Sequence, residues 1–248
     1  MSADLLFGIH SVEAALRHDA DNVIELFIES GAHNARLKTL SDQARELGIK
    51  PHARAREALD RMTGGGRHQG VVARYRAPAA LDDKDLDRLV VDAGREALLL
   101  VLDGVTDPHN LGACLRSAAA ARVTAVIVPK DRAVGITPIV RRASAGAADS
   151  VPLVVVTNLA RSLRGLKEAG VWLNGLASHA DRSIYALDLK GPSALVLGGE
   201  AEGMRRLVRE SCDFVACIPM PGAMDSLNVS VAAGVVLFEA LRQRGGAT

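Results

Sequence analysis

The chain has 248 residues, 48% hydrophobic and 24% charged, with a formal net charge of +1. This composition excludes a disordered or fibrous chain and suits one large globular domain or two smaller ones. No apolar run reaches about 18 residues, so no membrane span is expected, and net charge alone assigns no polyanionic partner.

The start, MSADLLFGIH, has no basic segment ahead of an apolar run, so a secretory signal is not expected. Cys114, Cys212 and Cys217 lack metal-ligand spacing, and their odd number argues against a disulfide framework. A reducing cytoplasm and no metal centre are the expectations that follow.

The first elements read as a small α/β unit. Apolar spacing predicts a helix over 11–17, a strand over 23–28, helices over 35–47 and 54–62, and a strand over 70–75. Between the last two lies TGGGRHQG, residues 63–70, a glycine-rich loop. It serves either as a hinge or as a backbone-exposed contact for a polyanion, with Arg67 and His68 as the RNA-facing candidates. Six arginines (54, 56, 61, 67, 74 and 76) stand against Glu57 and Asp60 here. That is either a basic patch for phosphate or a solvated face. The next stretch, APAALDDKD, is rich in Pro and Asp and reads as the start of a linker over 77–97.

From residue 98 the pattern changes. LLLVLDG (98–104), TAVIVP (124–129), LVVV (153–156), VWLNGLA (171–177), ALVLGGE (194–200) and FVACIP (214–219) are continuous apolar runs, separated mostly by helical stretches. Such runs suit strands buried on both faces, so a mainly parallel α/β sheet flanked by helices is expected. The last helix presents Val229, Ala232, Ala233, Val236, Leu237, Ala240 and Leu241 on one face.

Ligands in parallel sheets sit beyond the carboxyl ends of strands, and three of these ends carry chemistry. After 98–104 comes TDPHNLGACLRSAAAA, with Asn110 where an N-cap would stand, Gly112 keeping the turn thin, and Arg116 nearly two turns in. After 194–200 comes GGEAEGMRRL, with Gly198 in the turn and Glu200 at the strand end. After 214–218 a Pro-rich turn leads to Ser226, Leu227 and Asn228 at a helix mouth, where free N–H groups are available. A capped packing helix, a tight turn and a simple cap are the plain readings of each alone. The G-x-G-x-x-G dinucleotide fingerprint is missing.

Together, NLGACLRSA, LVLGGEAEGM and IPMPGAMDSLNVSVAAG resemble, in order and spacing, the three motifs of the SpoU–TrmH family of RNA 2′-O-ribose methyltransferases. FGIHSVEAAL and HQGVVARY resemble the start and end of the small L30e-like domain that such enzymes carry. The resemblance implies a trefoil-knotted sheet over 98–248 that binds S-adenosylmethionine. It implies an RNA substrate-binding domain over 1–76 and a homodimer. It implies Gly198, Ile218 and Leu227 as cofactor contacts. Arg116, Asn110, Glu200, Ser226 and Asn228 are implied as catalytic residues, some acting across the dimer. A guanosine in the peptidyl-transferase region of 23S ribosomal RNA is the expected target, with tRNA or another rRNA site as the alternative. A catalytically dead RNA-binding relative and a nucleotide-dependent oxidoreductase are the readings from other classes. The three complete motifs speak against the first and the missing fingerprint against the second.

Overall fold

A computed structural model describes residues 4–18, 20–31, 34–76, 81–200 and 202–245. The chain divides into two units, Met1–Ala79 and Ala80–Thr248.

The first unit runs β1 (Asp4–Phe7), α1 (Ile9–His18), β2 (Val23–Glu29), α2 (Ala35–Glu46), β3 (Pro51–Arg54), α3 (Arg56–Thr63) and β4 (Val71–Tyr75). Its sheet has the order β1-β4-β2-β3, parallel only between β2 and β3. Val12, Ala15 and Leu16 of α1 join Leu37, Leu40 and Ala44 of α2 over one face. Leu59 of α3 packs on Phe27 and Val72 from the other.

Two strands here have no sequence signal. β3 is an edge strand with proline at its first position, where no ladder donor is needed. It takes Arg54, so the helix expected from 54 starts at Arg56. The glycine-rich loop is pinned rather than hinge-like. Thr63 Oγ1 donates to the Leu59 carbonyl at 3.0 Å, and the Ile9 amide donates to Gln69 Oε1 at 3.2 Å.

The second unit opens with α4 (Asp83–Ala93) and continues β5 (Leu98–Asp103), α5 (Pro108–Ala120), β6 (Ala125–Pro129), α6 (Pro138–Ala143), β7 (Leu153–Val156), α7 (Leu159–Glu168), β8 (Trp172–Leu176), β9 (Arg182–Ser183), β10 (Ser193–Gly198), α8 (Arg206–Ser211), β11 (Phe214–Cys217) and α9 (Val229–Gln243). The seven strands lie in the order β7-β6-β5-β10-β8-β11-β9, and every pair is parallel. α5, α6 and α9 cover one face, while α4, α7 and α8 cover the other. Leu98 to Leu102 of central β5 are all buried, which is why that run carries no alternation.

Residues 77–80 of the expected linker lie outside the described residues. Its remainder is not extended. Asp82 accepts from the amides of Lys84 and Asp85, and Asp85 accepts from the Asp82 amide, a capping box that starts α4. Leu86 and Val90 of that helix are buried in the second unit. The acidic run therefore starts a helix.

Candidate active site

The carboxyl ends of β8, β10 and β11 surround a cavity of about 530 Å³, within the usual range for small-molecule sites. Gly198, Ile218 and Leu227 line it, as do Glu200, Ser226 and Asn228. Its apolar wall includes Leu176, Leu197 and Val229.

Three strand ends meet in one hydrogen-bonded cluster. Asn228 caps α9, and its Oδ1 accepts from the Ser230 amide at 2.9 Å and from Ser230 Oγ at 2.6 Å. Those two donors identify the carbonyl end of the amide, so Nδ2 points the other way. It donates to Asn110 Oδ1 at 3.0 Å and to Glu200 Oε1 at 2.8 Å. Asn110 Nδ2 donates to the same Glu200 oxygen at 2.6 Å. Glu200 Oε2 accepts no hydrogen bond among the described residues, which leaves one carboxylate oxygen open. Ser226 lines the cavity without joining this cluster.

Asn110 is not the cap of α5. Asp107 is, accepting from the Asn110 amide at 3.0 Å, with Pro108 at the first helical position. The Asn110 side chain is thereby free to reach Glu200. Gly112 is thin for α6 rather than for a ligand: a Cβ there would lie 2.5 Å from the Ala143 Cβ. Arg116, also on α5, is exposed and has no side-chain partner among the described residues. It is not among the residues that line the cavity.

Gly198 lines the cavity, and the fold itself also requires a glycine there. A Cβ there would fall 1.9 Å from the Gly203 carbonyl carbon and 2.0 Å from the Met204 nitrogen. The chain's own returning loop, and not only a ligand, demands glycine. Gly199 meets a similar limit, with the Gly104 carbonyl oxygen 2.4 Å from its would-be Cβ. Gly198→Ala should therefore destabilise the fold by about 3 kcal/mol or more, at or above the top of the usual range for overpacking, because the clash is with backbone. Denaturant melting checks this; a midpoint equal to that of the parent would contradict it.

One pair has no motif to announce it. Asp103, at the end of β5, is buried, and its carboxylate receives the Arg205 amide at 2.8 Å, Nε at 2.7 Å and Nη2 at 2.6 Å. This clamp fixes the end of the loop that carries Glu200. A lone acid closing an otherwise apolar strand is the only signal the sequence offers.

In the first unit, Arg67 is exposed and His68 is only 2% exposed. His68 Nε2 lies 2.9 Å from Asp60 Oδ1, and its Nδ1 accepts from the Gly70 amide at 3.0 Å. An imidazole buried and engaged at both nitrogens has no edge left for RNA; it shapes the loop that displays Arg67. No group of three potential metal ligands occurs among the described residues. No helix among them is long and apolar enough to cross a membrane.

Residues 97–238 match the SpoU rRNA Methylase family. The chain belongs to that family. Residues 5–81 match the RNA 2′-O ribose methyltransferase substrate-binding family. Curated relatives include the 23S rRNA (guanosine-2′-O-)-methyltransferase RlmB of Xylella fastidiosa, 58% identical over 96% of both chains. The protein of that name from Shewanella oneidensis is 51% identical over 97% of this chain and 98% of its own. Among solved structures, the SpoU methyltransferase AviRb from Streptomyces viridochromogenes, in complex with AdoMet, superposes with a TM-score of 0.77. That match has 28% identity and covers 99% of this chain and 92% of AviRb.

Proposed function

We propose that this chain methylates the ribose 2′-hydroxyl of a guanosine in 23S ribosomal RNA, using S-adenosylmethionine. The observation that carries the reading is the joining of Asn110, Glu200 and Asn228 at the mouth of the cavity. The cavity fits the cofactor in kind. Leu176, Leu197 and Ile218 would give apolar surface to hold the nucleoside, and the carboxylate of Glu200 would complement the positive charge of the sulfonium. When bound, S-adenosylmethionine supplies an electrophilic methyl group.

The chain's task is to orient a weak nucleophile and remove its proton. Asn110 and Asn228 hold Glu200 through Oε1, and Oε2 accepts the hydroxyl proton. Arg116 is read as a clamp and not as the base, because a guanidinium presents five donors and no acceptor. It grips a neighbouring phosphate through its planar fork. Its place outside the lining of its own cavity supports action in the cavity of a second copy, within a homodimer. The strand order β5-β10-β8-β11, with α9 returning onto α5, supports a knotted path over 98–248. Residues 1–76 select the RNA, through Arg67 among others. The cysteines are free, and burial pushes the Cys114 thiol up to about 12, which makes it an inert packing group and not a nucleophile.

Mapping ribose methylation on 23S rRNA incubated with the chain and S-adenosylmethionine tests the reaction. One new 2′-O-methylguanosine is expected. Methylation of tRNA alone, or of a base rather than a ribose, would overturn the assignment. Arg67→Ala should weaken RNA binding and make the log–log salt slope shallower by about one phosphate contact.

A further inference from the structure

Trp172 is the only tryptophan in a chain with just two Tyr and four Phe. It is 53% exposed. Phe214, at the start of β11, is 37% exposed. Their rings stack, with centroids 5.8 Å apart and planes 23° apart. The guanidinium carbon of Arg182, on β9, lies 5.0 Å from the centroid of the Phe214 ring. Register explains the alignment. Phe214 pairs with Asn174 of β8, and Arg182 pairs with Ala216 of β11. Residues two apart share a face, so the three side chains step across three neighbouring strands on one side of the sheet.

An exposed aromatic stack contributes little to a core. Here it also carries a cation with no carboxylate partner among the described residues. Asp181, next to Arg182 in sequence, forms no ion pair with it among the described residues, and Asp213, next to Phe214, is engaged by Lys167 Nζ at 2.8 Å and by the Leu173 amide, which donates to Oδ2 at 2.8 Å. An aromatic face and a guanidinium without a carboxylate partner among the described residues together match the two recurring parts of a single strand of RNA, base and phosphate. The platform lies on the same face of β8 as Leu176, which lines the cavity. The two are separated by four residues, about 13 Å along the strand.

We infer that Trp172, Phe214 and Arg182 form a stacking platform for a single-stranded segment of the substrate RNA. A base lies on Trp172 and a phosphate meets Arg182. This rests on the reading of the chain as an rRNA methyltransferase.

Because Trp172 is the sole tryptophan, its fluorescence reports on the platform directly. The full chain is titrated with an oligouridylate and with an abasic ribose-phosphate oligomer of equal length. Binding is followed independently by the anisotropy of labelled RNA. The oligouridylate is expected to quench Trp172, and the abasic oligomer to bind without quenching. Trp172→Leu should weaken RNA binding about tenfold and leave calorimetric affinity for S-adenosylmethionine unchanged. Arg182→Gln should make the log–log salt slope shallower by about 0.7. Saturating RNA without quenching, or unchanged RNA affinity in Trp172→Leu, would overturn the platform. A Trp172→Leu variant that converts a dimer to monomers would also overturn it, assigning the patch to a second copy. If the parent methylates 23S rRNA while these signals are absent, the platform alone is wrong. If RNA quenches Trp172 but no methyl group is transferred, the platform stands and the reaction is wrong.

Discussion

Glu200→Gln should lower the turnover of methyl transfer by about 10²- to 10⁴-fold, the range for loss of a positioned general base. The substitution is chosen for what it keeps. Asn110 Nδ2 and Asn228 Nδ2 both donate to Oε1, and a glutamine carbonyl can accept both bonds, as weaker neutral ones. The cluster is retained, and only the charge and the free acceptor at Oε2 are lost. Affinity for S-adenosylmethionine, measured by calorimetry, should stay within about threefold, since an exposed carboxylate near a cation contributes modestly in a screened site. Single-turnover kinetics separates the two effects. Turnover near the parental rate would assign proton removal to another group, such as an RNA phosphate, and leave Glu200 as a positioning residue. Asn228→Ala is the complementary case. It removes the cap of α9 as well as two bonds to the cluster, so about 1 kcal/mol of stability should go with the activity.

The elements of the second unit were legible because their burial is extreme. A strand such as Leu98–Leu102, buried on both faces, reads as an unbroken apolar run. The face of α9 was legible from its helical period: Val229, Ala233, Val236, Leu237 and Ala240 are all buried. What stayed hidden depends on distance along the chain. The bond from Asn110 to Glu200 spans 90 residues, and that from Asn228 to Asn110 spans 118. No spacing rule reaches so far, so motif order placed these residues in one site before geometry did. Local chemistry misled in two places. Asn110 looks like a cap, but Asp107 followed by Pro108 is the stronger signal. His68, beside Arg67 in a glycine-rich loop, looks exposed, yet Asp60 and the Gly70 amide hold it inside. Gly198 lines the cavity, and the backbone of Gly203 and Met204 also fills the space a Cβ would need. In each case a residue type was read correctly as special, and its partner proved to be the protein itself.

Arg116→Ala should leave the fold intact, bind S-adenosylmethionine normally and lose about 10²-fold or more of methyl transfer, as a lost positioning contact would. Stability should hold because the side chain is exposed and has no partner among the described residues, and such surface changes fall within about 0.5 kcal/mol. Arg116→Lys should remain impaired, since an ammonium cannot reproduce a planar, two-pronged grip on phosphate. The decisive test asks which cavity Arg116 serves. It lies six residues beyond Asn110 on α5, about 9 Å along the axis, and lines no part of its own chain's cavity. If it completes the site of a second copy, co-expressed Arg116→Ala and Glu200→Gln chains should complement each other. In a mixed dimer one site then combines an intact Glu200 with an intact Arg116, and the other site lacks both. With random pairing, half the dimers are mixed and half their sites work, so about a quarter of parental activity should return from two nearly inactive variants. If Arg116 serves its own chain's site, every site in the mixture lacks one residue or the other. Activity then stays at the level of the separate variants, and Arg116 does not act across the interface.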